Sequence, residues 1–172
     1  MEGEILKMSR NIVLIGMPGA GKTTIGKMLY ERLELKFVDV DDFIVEESGK
    51  TIPELFDVSE SHFRKVESEA IRKLSLDKSY IIATGGGVIK NEANIEELKK
   101  HGIIVFIDRP LGNIAEDVEI SKRPLLKDGV QKLYDLYDER YELYKKCSDF
   151  HVVNDRSIEA VVDRIIEKYT LA

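Results

Sequence analysis

The chain has 172 residues, 43% hydrophobic and 34% charged, which is enough for one compact core and too little for two ordinary domains. A formal net charge of −6 offers no basic face to a nucleic acid, and the single cysteine, Cys147, excludes an internal disulfide and leaves no zinc-ligand set. No apolar run approaches the roughly 20 residues of a membrane span, and the opening MEGEILKMSR lacks the apolar centre of a signal peptide, so a cytoplasmic protein with no membrane and no nucleic-acid partner is expected.

Residues 1–10 read as a loose charged tail ahead of a single domain. Apolar, β-branched runs then recur as NIVLIG from Asn11, KFVDV from Lys36, YIIAT from Tyr80, IIVFID from Ile103 and FHVV from Phe150. Continuous rather than alternating apolarity predicts parallel strands covered on both faces. The stretches between them carry helical spacing. TTIGKMLYERL is one, and EAVVDRIIEKY places Ala160, Val161, Ile165 and Ile166 along one side. Thr51 with Glu54 predicts a capping box around Pro53, Asn91 a helix start that Gly102 ends, Ser157 a cap on the last helix, and Gly129 to about Lys146 the longest helix. Strand and helix alternate, which predicts a doubly wound α/β sheet with ligands beyond the carboxyl ends of its strands.

Directly behind the first strand stands GMPGAGKTT, Gly16 to Thr24. Glycines let successive N–H groups turn inward and the following helix adds its positive end, so Gly19, Ala20, Gly21, Lys22, Thr23 and Thr24 form a cradle for nucleotide phosphates. Lys22 reaches the outer phosphates and Thr23 offers a hydroxyl to Mg²⁺. No N-K-x-D guanine signature follows, and the chain is too short for a large ATPase module, so a small-molecule kinase leads.

The acceptor must be read from the other strand ends. In FVDVDDF, Asp39 and Asp41 fall two apart and share a face if the strand continues, while Asp42 reads as a helix cap. Arg64 and Glu67 in HFRKVE, taken alone, read as an ordinary exposed helical ion pair. Gly85, Gly86 and Gly87 after the third strand let a ligand approach backbone N–H groups. The arginine of KRPLL and Arg140 on the long helix supply planar forks for phosphate or carboxylate. His62, His101 and His151 fit no partner pattern.

From about Asn11 to Tyr169 the chain resembles the shikimate kinase family, through GMPGAGKTT, DVDD, FRKVE, GGG and RPLL in that order and an arginine on the next helix. The resemblance implies a five-stranded parallel sheet flanked by helices, like that of the P-loop nucleoside-monophosphate kinases. It also implies an acceptor region at about 42–72 and a mobile lid at about 116–127. It implies ATP and shikimate as partners of a monomer, with Lys22 and Thr23 serving ATP and Mg²⁺ and Asp39 holding the metal. Asp41 would bind the shikimate hydroxyls, and Arg64, Arg140, Gly86 and Gly87 the acid. Arg123, in the lid, would close over the transferred phosphate. A P-loop kinase for another small hydroxylated acid, such as gluconate, is the alternative.

The resemblance breaks at two points. Where the family carries an arginine facing adenine, an ungapped reading gives AEDVEIS with Glu116 and Asp117, and the adenine-side proline of the last loop is missing from NDRSIE. Arg156 can still lie against the base. Weak discrimination between ATP and GTP is therefore expected.

Overall fold

The computed structural model describes residues 10–121 and 129–171, with 118–121 as backbone only. Five parallel strands, β1 (Asn11–Ile15), β2 (Lys36–Asp39), β3 (Tyr80–Ala83), β4 (Gly102–Asp108) and β5 (Phe150–Val153), form one sheet in the order β2-β3-β1-β4-β5. The helices are α1 (Lys22–Arg32), α2 (Val40–Ser48), α3 (Ile52–Val58), α4 (Glu60–Ser75), α5 (Glu92–His101), α6 (Leu111–Ser121), α7 (Val130–Cys147) and α8 (Ile158–Leu171). The expected α/β architecture is present, with strands at the five runs read from the sequence.

Every residue of β1 is buried, and its side chains divide between two cores. Ile12 and Leu14 pack with Ile25 and Leu29 of α1 and with Val161, Val162 and Ile165 of α8. Val13 and Ile15 face Ile44, Phe63, Ile71 and Tyr144 from the helices of the other layer. Helices on both faces explain why the central strands β3, β1 and β4 are almost continuously apolar. The stripe of α8 differs slightly from its expectation: Ala160 is exposed, and Val162 and Tyr169 complete the buried side.

Local signals fix most helix ends. Thr51 and Glu54 exchange both hydrogen bonds of a capping box, at 3.0 and 3.3 Å. Asn91 Oδ1 accepts from Ala93 N at 3.0 Å, and Ser157 Oγ from Ala160 N at 3.2 Å. Gly102 stops α5 by a different route from a left-handed cap. It is extended, at φ −143°, and a Cβ there would lie 2.9 Å from Leu98 O, so only glycine lets the chain enter β4 so close to the helix.

Register brings the functional loops together. Leu14 of β1 lies beside Ala83 of β3 on one side and Val105 of β4 on the other, so the loops leaving these three strands emerge side by side. The chain leaves β1 toward β2 on one side of the sheet and leaves the neighbouring β4 toward β5 on the other, which opens a crevice at the carboxyl end. Among the described residues no helix is long and apolar enough to cross a membrane.

Candidate active site

The loop from Gly16 to Gly21 leads into α1 with Gly21 as N-cap, at φ +98° and ψ +15°. A side chain there would be strained and would meet Asn154 Nδ2 at 3.1 Å. No side chain caps α1, so its first N–H groups are left for an anionic ligand. Lys22 folds back into the loop and donates to Gly16 O at 2.5 Å and Met17 O at 3.0 Å. Its pKa is lowered from 10.5 to about 8, chiefly by burial, with Asp41 and Asp39 opposing the shift and Arg140 adding to it. Lys22 therefore lies within the electrostatic reach of both aspartates and of an arginine from α7.

The aspartates converge by a route other than strand alternation. β2 stops at Asp39, which is the N-cap of α2, with Oδ1 accepting from Asp42 N at 3.1 Å. Asp39 thus takes the capping role assigned to Asp42, whose own side chain is exposed in the first turn of α2. Capping uses one oxygen of Asp39, and Thr23 Oγ1 donates to the other at 3.0 Å. Asp41 comes in from the first turn of α2 because the helix turn, rather than the strand pleat, sets its direction. Its pKa is raised, mainly by burial and then by Asp39.

The glycine run forms the floor of the acceptor side. A Cβ on Gly85 would lie 3.3 Å from Asp41 Oδ1 and 3.5 Å from Glu67 Oε2, and one on Gly86 3.2 Å from Arg140 Nη1. On Gly87 it would lie 2.5 Å from Arg64 Nη1. Two carboxylates and two guanidinium groups therefore sit over three consecutive residues without side chains. The Arg64–Glu67 pair is no surface ornament: Nη1 donates to Glu67 Oε1 at 3.0 Å, and the Glu67 side chain is 1% exposed. Burial raises the Glu67 pKa against the pull of Arg64. Arg64 Nε and Arg140 Nε are both buried without a hydrogen-bond partner among the described residues, the state of a fork set for an anionic ligand.

Arg140 is held by its helix. Tyr144, one turn on, donates to Gly86 O at 2.6 Å, and Tyr141 donates to Asp108 Oδ2 at 2.9 Å. His151 Nε2 lies 2.7 Å from the same Asp108 oxygen, so this histidine has a partner that the sequence did not reveal.

Next to Lys22 opens a cavity of about 660 Å³ lined by Gly19 to Thr24, by Asn113 and Asp117 of α6, and by Asn154 to Arg156. Arg156 lines this cavity. Asn154 and Arg109 were missed. Asn154 Nδ2 donates to Ala20 O at 2.9 Å, tying the last loop to the phosphate cradle. Arg109, directly after β4, donates to Gly19 O at 2.9 Å and pairs with Asp117 at 2.6 Å. Asp117 is thus paired with a cation in the cavity wall, one that the sequence reading had not placed there. Only its position at a strand's carboxyl end could have singled out Arg109. Arg123 and the lid sequence 122–127 lie outside the described residues.

A phosphate cradle with an inward lysine, facing an anion-binding floor at the switch point of a parallel sheet, defines a P-loop kinase of a small acidic acceptor. The family model described as shikimate kinase matches residues 18–170. Shikimate kinase of Clostridium beijerinckii is 50% identical over 160 residues, covering 93% of this chain and 95% of that one. Shikimate kinase from Acinetobacter baumannii, solved in complex with shikimate, superposes with a TM-score of 0.87 at 34% identity, covering 96% and 95% of the two chains. The Aquifex aeolicus enzyme gives 0.79 at 36% identity, covering 94% and 95%. The chain belongs to the shikimate kinase family, ATP-using transferases that phosphorylate shikimate in aromatic amino-acid biosynthesis. These likenesses lend the gluconate alternative no support.

Proposed function

We propose that the residues gathered here catalyse ATP + shikimate → ADP + 3-phosphoshikimate, each in the role its position suggests. The observation that carries the reading is Lys22, which lines the nucleotide cavity and feels the charges of Asp41 and Arg140 on the acceptor side. ATP phosphates would lie on the N–H groups of Gly19 to Thr24, and Lys22 would exchange its bonds to Gly16 O and Met17 O for phosphate oxygens. Arg64, Arg140 and the backbone at Gly86 and Gly87 would take the shikimate carboxylate. Asp41 would accept from and orient the 3-hydroxyl, its raised pKa making it a better proton acceptor than an exposed aspartate. Phosphoryl transfer passes through a loose transition state, so in-line positioning and neutralised charge supply most of the rate.

Thr23 and Asp39 present hard oxygen donors 3.0 Å apart beside the cradle, which suits Mg²⁺ completed by phosphate oxygens and water. When bound, the metal would neutralise charge on the outer phosphates. By the resemblance, Arg123 would close over the transferred group from a lid at 116–127, and 42–72 would form the acceptor region of a single domain. A cytoplasmic monomer is part of the same proposal. The test is an ADP-release assay with shikimate, gluconate and nucleoside monophosphates offered in turn: turnover confined to shikimate is expected, and equal turnover with gluconate would overturn the acceptor assignment.

A further inference from the structure

The cavity beside Lys22 extends well past the phosphate cradle, with Asn113 and Asp117 on one side and Arg156 and Ile158 on the other. Arg109 lines this extension from the turn between β4 and α6. Its side chain is 24% exposed. Pro110 follows, restricting the Arg109 backbone to extended conformations, and its carbonyl accepts from Asn113 N and Ile114 N at the start of α6. The turn therefore fixes where Arg109 starts, and two contacts fix where it ends: Nη1 donates to Gly19 O and pairs with Asp117 Oδ2.

Those contacts decide between two kinds of work. An arginine set to bind an anion keeps buried fork atoms without a partner, as Arg64 Nε and Arg140 Nε are, among the described residues, on the acceptor side. Arg109 has one corner of its fork committed to a carbonyl and a carboxylate, so its charge is largely compensated. What remains is a planar, oriented, weakly hydrated surface, which suits a flat aromatic ring. We propose that Arg109 forms one face of the nucleotide-base subsite, with Asp117 as the positioning residue that holds its plane. The proposal rests on the reading of this cavity as the ATP site.

Two probes separate the base from the phosphates: ADP with Mg²⁺, and inorganic tripolyphosphate with Mg²⁺, each titrated by calorimetry into the full-length chain. Arg109→Ala should weaken ADP about 3- to 30-fold, the range of a partly desolvated cation–π contact, and change tripolyphosphate by less than about twofold. Arg109→Lys keeps a cation near Gly19 O and guards against a folding defect. It should retain tripolyphosphate binding and still lose ADP affinity, because an ammonium has no plane to stack. Asp117→Asn should lose part of the ADP affinity and none for tripolyphosphate. Equal losses on both probes would make Arg109 a phosphate contact or a brace of the loop, and an unchanged ADP affinity would leave it no part in binding; either result overturns the proposal. Failure of the unaltered protein to bind either probe would overturn the ATP-site reading itself, and the proposal with it.

Discussion

Replacing Gly87 with alanine asks whether the glycine run exists so that Arg64 can lie flat against it. A Cβ at Gly87 would sit 2.5 Å from Arg64 Nη1 and 2.7 Å from Cζ, far inside contact distance. A free arginine tip would swing aside at little cost, but this one is pinned. It donates to Glu67 at 3.0 Å, and its Cζ lies 5.2 Å from the Phe63 ring centroid and 5.8 Å from that of Phe56. Gly87 itself has φ −95°, which any residue adopts, so the backbone is unstrained and the damage falls on Arg64. Moving the fork removes charge-assisted hydrogen bonds to the acceptor carboxylate, worth about 1.5–3 kcal/mol. At 1.4 kcal/mol per tenfold, KM for shikimate should rise about 10- to 100-fold, with KM for ATP nearly unchanged. The assay is steady-state ADP release with shikimate varied at saturating ATP. A shikimate KM within about twofold of the unaltered enzyme would refute the reasoning, since it would mean that Arg64 is not held against this floor or does not contact the acceptor.

Lys22→Met should cost about two to three decades in turnover by removing charge stabilisation of the transferred group, and should also change stability. Burial lowers the Lys22 pKa from 10.5 to about 8, so below about pH 8 the folded state carries a buried charge that costs roughly 3 kcal/mol. That cost fades between about 8 and 10.5, where the folded state releases its proton first. Urea titrations should therefore find Lys22→Met the more stable protein at pH 7, with the gap closing by pH 10; a less stable variant at pH 7 would contradict this. Arg140→Lys keeps the charge and loses the planar fork, so KM for shikimate should rise with KM for ATP unmoved. Asp41→Asn should lower kcat as well, because it changes the group beside the reacting hydroxyl; normal kcat would remove Asp41 from the reaction. Asn154→Ala cuts the tie from the last loop to Ala20 O and should raise KM for ATP about 3- to 10-fold, leaving that for shikimate alone.

What the sequence determined by itself is what depends on neighbours along the chain. The phosphate cradle is one strand end, six loop residues and one helix start, so GMPGAGKTT carries its chemistry in its spacing. The capping box at Thr51 and Glu54 and the apolar runs of the five strands are local in the same sense. The ordered motifs went further, pointing to the residues proposed for the acceptor, though for Asp39 and Asp41 the geometric reason was wrong: a helix begins between them. Tertiary structure decided the rest. Arg64 and Glu67, by spacing alone an exposed surface pair, are largely buried once the fold places Gly87 against Arg64, because burial is set by what packs opposite and not by helical spacing. Asn154 and Arg109 lie 134 and 90 residues from the loop carbonyls they meet. Asparagine and arginine after a strand are common and carry no pattern of their own. They join the site because β1, β4 and β5 run parallel in neighbouring register, so that loops far apart in the chain leave the sheet at the same edge.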